Sequence, residues 1–341
     1  MKTASFFRLS CGFLLSAASL LCAAQTYKIT DLGTISGDDY SVARALNATG
    51  QVTGASGKSN SNLADIFLYS NGKMTNLGNL GGNTGIGNGI NASGQIAGYS
   101  TIANGTYRAF LASNGTLTDI GDLGGGSAVA YDINDSGQVV GSAVTSHGAN
   151  HPFLYSNGQM TDLGTLGSPD NVDWWNSAQS VNKKGVVTGT SYDADGNFFG
   201  FVWKKGKMSK IGTLGGAWSE AYAVNNNGQV TGLAYTKDGS THAFLMSPKG
   251  KLKDLGFIGD KTSISWGFAI NDAGIVVGQF TVNGTYHAFV YNGTKMKDLN
   301  TLIPRHKGWE LLDAQGINNV GQIVGLGMHN GLEHAYLLTP R

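Results

Sequence analysis

Only two cysteines occur in the chain, Cys11 and Cys22, and both fall within its first 24 residues. Residues 25–341 therefore contain no thiol and no disulfide. Any metal bound there must take histidine, carboxylate or carbonyl ligands. Proline is scarce, with 5 in 341 residues, and no G-X-Y period is present, so a collagen-like chain is excluded. Charged side chains make up 13% against 41% hydrophobic, which excludes a disordered polyelectrolyte. A net charge of +1 supplies no basic field, and no nucleic-acid partner is expected. Long hydrophobic runs are missing too. The apolar stretch at 13–21 is too short for a membrane-spanning helix.

That stretch has another use. Lys2 and Arg8 precede it, and Cys22-Ala23-Ala24 follows it as a small-x-small site before Gln25. Residues 1–24 read as a secretory signal peptide. A lipid anchor at Cys22 is disfavoured by the bulky Leu21. The expected mature chain, 25–341, is a secreted protein, extracellular or periplasmic, and a monomer. Loss of Lys2 and Arg8 leaves 21 basic against 22 acidic side chains. A core of this size can be stable without disulfides.

Glycine is abundant, 52 of 341, and its placement is periodic. An aliphatic residue, Asn, two residues, then Gly recurs seven times, with Asn at 47, 91, 134, 182, 225, 271 and 318. A second Gly follows four residues later each time, from Gly54 to Gly325. A period of 43 to 48 residues signals a repeat architecture. Each unit carries four short segments of period-two alternation. In one unit they are Ala221-Tyr222-Ala223-Val224 (strand a), Gln229-Val230-Thr231-Gly232 (b), His242-Ala243-Phe244-Leu245 (c) and Leu252-Lys253-Asp254-Leu255 (d). No sustained helical period appears. Four strands per unit of this length define a propeller blade.

Small residues sit four before each Asn (Ala43, Gly87, Ala130, Ala178, Ala221, Gly267, Ala314), as crowding of innermost strands requires. The last unit ends at His334-Ala335-Tyr336-Leu337-Leu338 without a strand d, whereas Ile29-Thr30-Asp31-Leu32-Gly33 matches the strand d at Met160-Thr161-Asp162-Leu163-Gly164. The expected fold is all-β, a seven-bladed β-propeller of four-stranded blades. The N-terminal strand completes the last blade and removes an open edge.

These motifs resemble the extracellular HAF-repeat family. His-Ala-Phe stands at His242 and His287, with His-Ala-Tyr at His334 and His151-Pro152-Phe153 as a variant. Three units depart: Asp65-Ile66-Phe67, Arg108-Ala109-Phe110 and Phe199-Gly200-Phe201. The phrase Asp-Leu-Gly-Thr-Leu-Gly at 162–167 also fits. The resemblance implies a secreted repeat protein and brings no catalytic residues. The family's connection with secretion and metal-ion uptake accords with a metal-binding role.

Candidate sites come from the loops on one face, where d–a and b–c connections meet. Ten of the 22 acids of the mature chain fall there with five bases, while lysines collect on the opposite face. Such a field favours cations. His306 and His329 share the last blade with Glu310 nearby, a reasonable ligand set for Mn²⁺ or Zn²⁺. His147 lies in a loop of the same face. Asp193-Ala194-Asp195-Gly196-Asn197 resembles part of a Ca²⁺ loop without its distal acid. The repeat histidines, on strand c, are expected to tie each blade to itself by hydrogen bonds. A ring of aromatics, Tyr40, Trp174, Trp175, Trp218, Trp266 and Trp309, could stack on glycan or anchor a protein partner, or pack between blades. No nucleophile–base pair and no paired carboxylates stand out. The leading expectation is a non-enzymatic binding protein that captures a divalent ion (Mn, Zn or Ca) and presents it to a surface receptor. The alternative is a glycan- or protein-recognition module. An axial-metal hydrolase is the third choice, with Asp132 as the exception among small inner-strand residues.

Overall fold

A computed structural model describes residues 26–61, 63–168, 175–260, 262–305 and 308–341. The expected signal segment (1–24), His306 and Trp174 lie outside the described residues. The chain forms seven sheets, and in six of them the four strands follow the order a-b-c-d. The first blade runs through Tyr40–Leu46, Val52–Gly57, Ala64–Ser70 and Lys73–Gly78. In the seventh sheet strand a is split into Trp309–Leu311 and Gly316–Ile317, followed by Ile323–His329 and Leu332–Pro340. Its outermost strand is Tyr27–Asp31 from the other end of the chain, in antiparallel register from Tyr27 opposite Pro340 to Asp31 opposite Tyr336. Successive inner strands touch around the ring, the seventh returning to the first. The molecule is a seven-bladed β-propeller, closed as the sequence predicts.

The repeat motif explains the closure atom by atom. Each Asn of the Asn-x-x-Gly turn is buried. Its Oδ1 accepts backbone N–H bonds from its own turn, as Asn134 does from Ser136 and Gln138. Its Nδ2 donates to the backbone carbonyl of the corresponding Asn in the next blade. The chain of donors runs 47→91→134→182→225→271→318 and back to Asn47, with distances of 2.9 to 3.3 Å. Seven side-chain amides thus form a closed circuit around the axis. The turn Gly has φ between 69° and 82° in all seven blades, a left-handed conformation that β-carbon sterics oppose.

The core lies between blades. Phe67 and Val52 of the first blade pack with Ala335, Val324 and Leu337 of the last. The third residue of the His-Ala-Phe motif is fully buried in every blade, from Phe67 to Phe289 and Tyr336. The middle residue is alanine or glycine in five blades (Ala109, Gly200, Ala243, Ala288 and Ala335), and the neighbouring blade abuts it: a β-carbon at Gly200 would come within 3.1 Å of the Ala221 side chain. Where Ile66 takes the position, the next blade faces it with Gly85.

Candidate functional site

The inner strands carry a bulge that sequence alternation alone does not reveal. In six blades the a–b register slips between the residues four and two before the turn Asn, for example between Ala130 and Asp132. The extra residue, three before the Asn, lines the axis. These residues are Arg44, Asn88, Tyr131, Gln179, Tyr222 and Phe268, joined in the seventh blade by Gln315. The expectation that mainly small residues line the inner strand is therefore corrected. The small residues four before the Asn pack in the inter-blade core, with Ala43, Ala130 and Ala178 fully buried. The bulge turns a larger side chain to the axis.

Together these side chains bound a cavity of about 790 Å³. Its lining extends from Tyr107 and Trp175 to the a–b turns, where Asp135, Lys183 and Asp272 stand. Arg44 is the cation of the inner-strand wall. Its Nε is buried and has no hydrogen-bond partner among the described residues. Tyr99 lies near Arg44 and Tyr131: burial raises its phenol while the Arg44 charge lowers it. Burial pushes Tyr131 to about 12, so both rings are neutral hydroxyl donors. Tyr222 donates to Glu220 at 2.8 Å and meets the edge of Phe268 with ring centroids 5.7 Å apart.

Asp132 is the inner-strand carboxylate in this wall. It bridges blades three and four, accepting from the Ser180 hydroxyl and the Val181 N–H, both at 2.9 Å. Desolvation outweighs these bonds and raises its pKa to about 6. A carboxyl that titrates higher in the folded than in the unfolded chain stabilises the fold at low pH, and that contribution is lost as pH rises through the folded value. Stability carried by Asp132 should fall between about pH 4 and about pH 6. Asp132→Asn is expected to remove on the order of 3 kcal/mol of that decline, measured by urea unfolding at several pH values. An unchanged slope would place the titration on another group.

The residues singled out in the sequence are dispersed. His147 is exposed in its b–c turn. Asp193 accepts from the N–H groups of Asp195 and Asn197 and forms an ion pair with Lys210 at 3.2 Å. The Asn197 N–H, aided by Lys210, outweighs slight desolvation and holds Asp193 below the usual carboxylate range. Its oxygens thus serve the turn and Lys210, while Asp195 is exposed. Glu310 is exposed and pairs with Met328 across the strands, whereas His329 pairs with Trp309; the alternation of a strand pair sends the two to opposite faces. Trp218 packs on Tyr235 with centroids 4.4 Å apart, Trp266 on Tyr286 at 6.2 Å and Trp309 on His329 at 4.4 Å. Tyr40 is partly buried opposite Gly57. Only Trp175, 76% exposed, among the described tryptophans both stands free and borders the cavity.

The repeat histidines pair within their blades. Nδ1 lies 2.7 Å from Asp162 for His151, 2.9 Å from Asp254 for His242 and 2.9 Å from Asp298 for His287. The departures from the motif keep a polar partner: Arg108 with Asp119 and Asp65 with Asn76. In the fourth blade Lys210 replaces the acid and stands over the Phe199 ring, 3.2 Å from its centroid.

No family model matches the chain, and comparison with curated proteins finds no match. Solved structures do match. A puromycin-hydrolysing peptidase of Mycobacterium tuberculosis aligns over 92% of this chain and 50% of its own, at 12% identity and a TM-score of 0.57. An acylaminoacyl peptidase of Pyrococcus horikoshii aligns over 91% and 53%, at 14% identity and 0.54. TolB from Acinetobacter baumannii aligns over 89% and 65%, at 12% identity and 0.47. The chain spans about half the length of these peptidases. What is shared is the β-propeller. Among the described residues, no helix is long and apolar enough to cross a membrane.

Proposed function

We propose that this chain is a non-enzymatic binding protein of the HAF-repeat type, acting after export, whose ligand seat is the axial cavity. One observation carries the proposal. The framework positions of the blade repeat the same chemistry: the turn Asn, the two glycines and the buried aromatic. The bulge position does the opposite, presenting Arg44, Asn88, Tyr131, Gln179, Tyr222, Phe268 and Gln315 to one axis. Where a repeat protein departs from its own repeat in a concave, mixed polar and aromatic surface, ligand binding accounts for the departure.

The chemistry suits an acidic glycan fragment. Amides at 88, 179 and 315 each donate once within the protein, to Ala130 O, Ser177 Oγ and Asp313 Oδ2, and keep a carbonyl oxygen and a second N–H for sugar hydroxyls. The rings of Tyr131, Phe268 and Trp175 supply stacking surfaces, and Arg44 suits a carboxylate. Calorimetric titration with uronic-acid-containing oligosaccharides and their neutral counterparts tests this. Binding of the acidic series, weakened about tenfold or more by Arg44→Gln as expected for a lost charged hydrogen bond, supports it. Equal binding by the variant, or no heat from either series, overturns it.

A further inference from the structure

The seventh blade departs from the single His–Asp pairing of the third, fifth and sixth blades in a way that the axial cavity does not use. Its acid is Asp31, delivered by the N-terminal strand. His334 occupies the repeat position, with Nδ1 3.0 Å from Asp31 Oδ2. A second imidazole joins it: His329 Nδ1 lies 2.9 Å from the same oxygen. The positions equivalent to His329, eleven residues after the turn Asn, hold Lys58, Ile102, Thr145, Asp193, Thr236 and Val282. The second histidine is peculiar to this blade. Two imidazole nitrogens and a carboxylate oxygen lie within 4.8 Å of one another, the one such group among the described residues.

We propose that Asp31, His329 and His334 form a binding site for a divalent transition ion of the Zn²⁺ class, placed across the closure of the ring. The contacts of 2.9 and 3.0 Å are hydrogen-bond distances, shorter by about 0.5 Å than the roughly 3.4 Å between ligand atoms that share a tetrahedral ion with bonds of about 2.0–2.2 Å, so a small opening of the cluster admits the ion. Two nitrogen donors with one oxygen favour Zn²⁺, Co²⁺, Ni²⁺ or Cu²⁺ over Ca²⁺ or Mg²⁺. The side chains keep exposures of 31% for Asp31, 23% for His329 and 17% for His334, so an ion can enter and a water can complete its coordination.

The surroundings orient the donors, as ligand sites require. Trp309 stacks on His329 with an interplanar angle of 4°. The Gly33 N–H donates to Asp31 Oδ1 at 2.8 Å. Burial alone would raise the Asp31 carboxyl; the Gly33 N–H and the imidazoles of His334 and His329 outweigh it and hold the group below its usual range, as an anion. Nδ1 of both rings is aimed at the carboxylate. An ion taken there by Nδ1 displaces any proton shared with Asp31, and the ring proton is then carried on Nε2. No redox step is involved.

The ligands come from opposite ends of the chain, 298 and 303 residues apart. An ion held there ties the N-terminal strand to the last blade and stabilises the closed ring by linkage. This site differs from the grouping of His329 with Glu310 expected from sequence, because strand alternation separates those two side chains.

The test uses the full mature chain without an affinity tag, stripped by chelator and titrated with ZnCl₂. The expected result is one ion per chain, quenched or shifted Trp309 fluorescence, and a melting temperature that rises with Zn²⁺. His329→Phe keeps a ring against Trp309 and leaves the ordinary His334–Asp31 pair. It should weaken Zn²⁺ binding at least 100-fold, whereas His287→Ala, which removes a single-histidine pair in the sixth blade, should leave it unchanged. Equal binding by His329→Phe, or equal loss in His287→Ala, overturns the proposal. Co²⁺ titration of the unaltered protein reads the site without mutation: a saturable visible absorption band at one equivalent supports it, and its absence overturns it. Arg44→Gln should not alter Zn²⁺ binding, which separates this site from the axial one.

Discussion

Gly189→Ala should cost about 4 kcal/mol or more and lower the melting temperature by roughly 6 °C or more, or leave the protein insoluble. The cause is space. A β-carbon at Gly189 would stand 2.0 Å from the Ser177 carbonyl oxygen and 2.8 Å from Ala178 Cα. Both are backbone atoms, so no side-chain rotation can relieve the clash. The bulge in strand a pushes the carbonyl five residues before the turn Asn into strand b, and strand b answers with glycine. The same contact recurs in every blade: Gly54 with Val42, Gly98 with Ile86, Gly141 with Val129, Gly232 with Glu220, Gly278 with Trp266 and Gly325 with Asp313, at 1.8 to 2.2 Å from the carbonyl oxygen. Gly212→Ala is the control. Nothing lies within 4 Å of its would-be β-carbon and its φ is not positive, so alanine there should be neutral or slightly stabilising. Thermal unfolding of the two variants side by side checks the prediction. Equal melting temperatures would mean that the strands can separate at little cost.

That glycine shows where sequence was sufficient and where it was not. The period, the blade count and the mixed last blade were legible because they rest on local chemistry repeated seven times: turn Asn, turn Gly, buried aromatic. The second Gly was legible as a marker but not as a cause. Its cause is a register slip between two strands, and period-two alternation hides such a slip because small residues flank it on both sides. For the same reason Arg44, Asn88 and Gln179 escaped notice as an axial set. Their visible trace was a position of large, chemically varied residues directly after the small ones at Ala43, Gly87 and Ala178. The partner of the repeat histidine was within reach, since Asp162, Asp254 and Asp31 share the strand-d phrase. The pairing of His329 with Asp31 was harder to see, because the two approach only once the ring is closed. Loop position suggested His329 and Glu310 as neighbours, whereas strand pairing decides which face each occupies.

Asn134→Ala should cost about 3 kcal/mol, and Asn318→Ala about the same. Asn134 is 5% exposed. Its Nδ2 donates to the Asn182 carbonyl at 2.9 Å and to Gln138 Oε1 at 2.7 Å, while its Oδ1 accepts from Ser136 and Gln138 N–H at 3.0 Å. Alanine leaves these partners without the side chain that satisfied them, at about 1–3 kcal/mol for each group that water cannot reach. Asn318 makes the corresponding bond to the Asn47 carbonyl at 3.1 Å, across the join between last and first blades. In a stack with free ends the terminal link would be the weaker one. In a closed circuit no link is terminal, so equal losses at 134 and 318 are the signature of closure. Asn134→Asp separates the donor role from the acceptor role. The carboxylate still accepts the two N–H bonds, but it faces two oxygens where the amide donated. At neutral pH it should destabilise at least as much as alanine. Protonation restores one donor, and burial raises the pKa of such a carboxyl, so the penalty should shrink as pH falls through that value. Urea unfolding of the three variants at pH 5 and pH 7.5 decides this. A smaller loss at 318 than at 134, or an aspartate penalty that does not vary with pH, would contradict the circuit of amides.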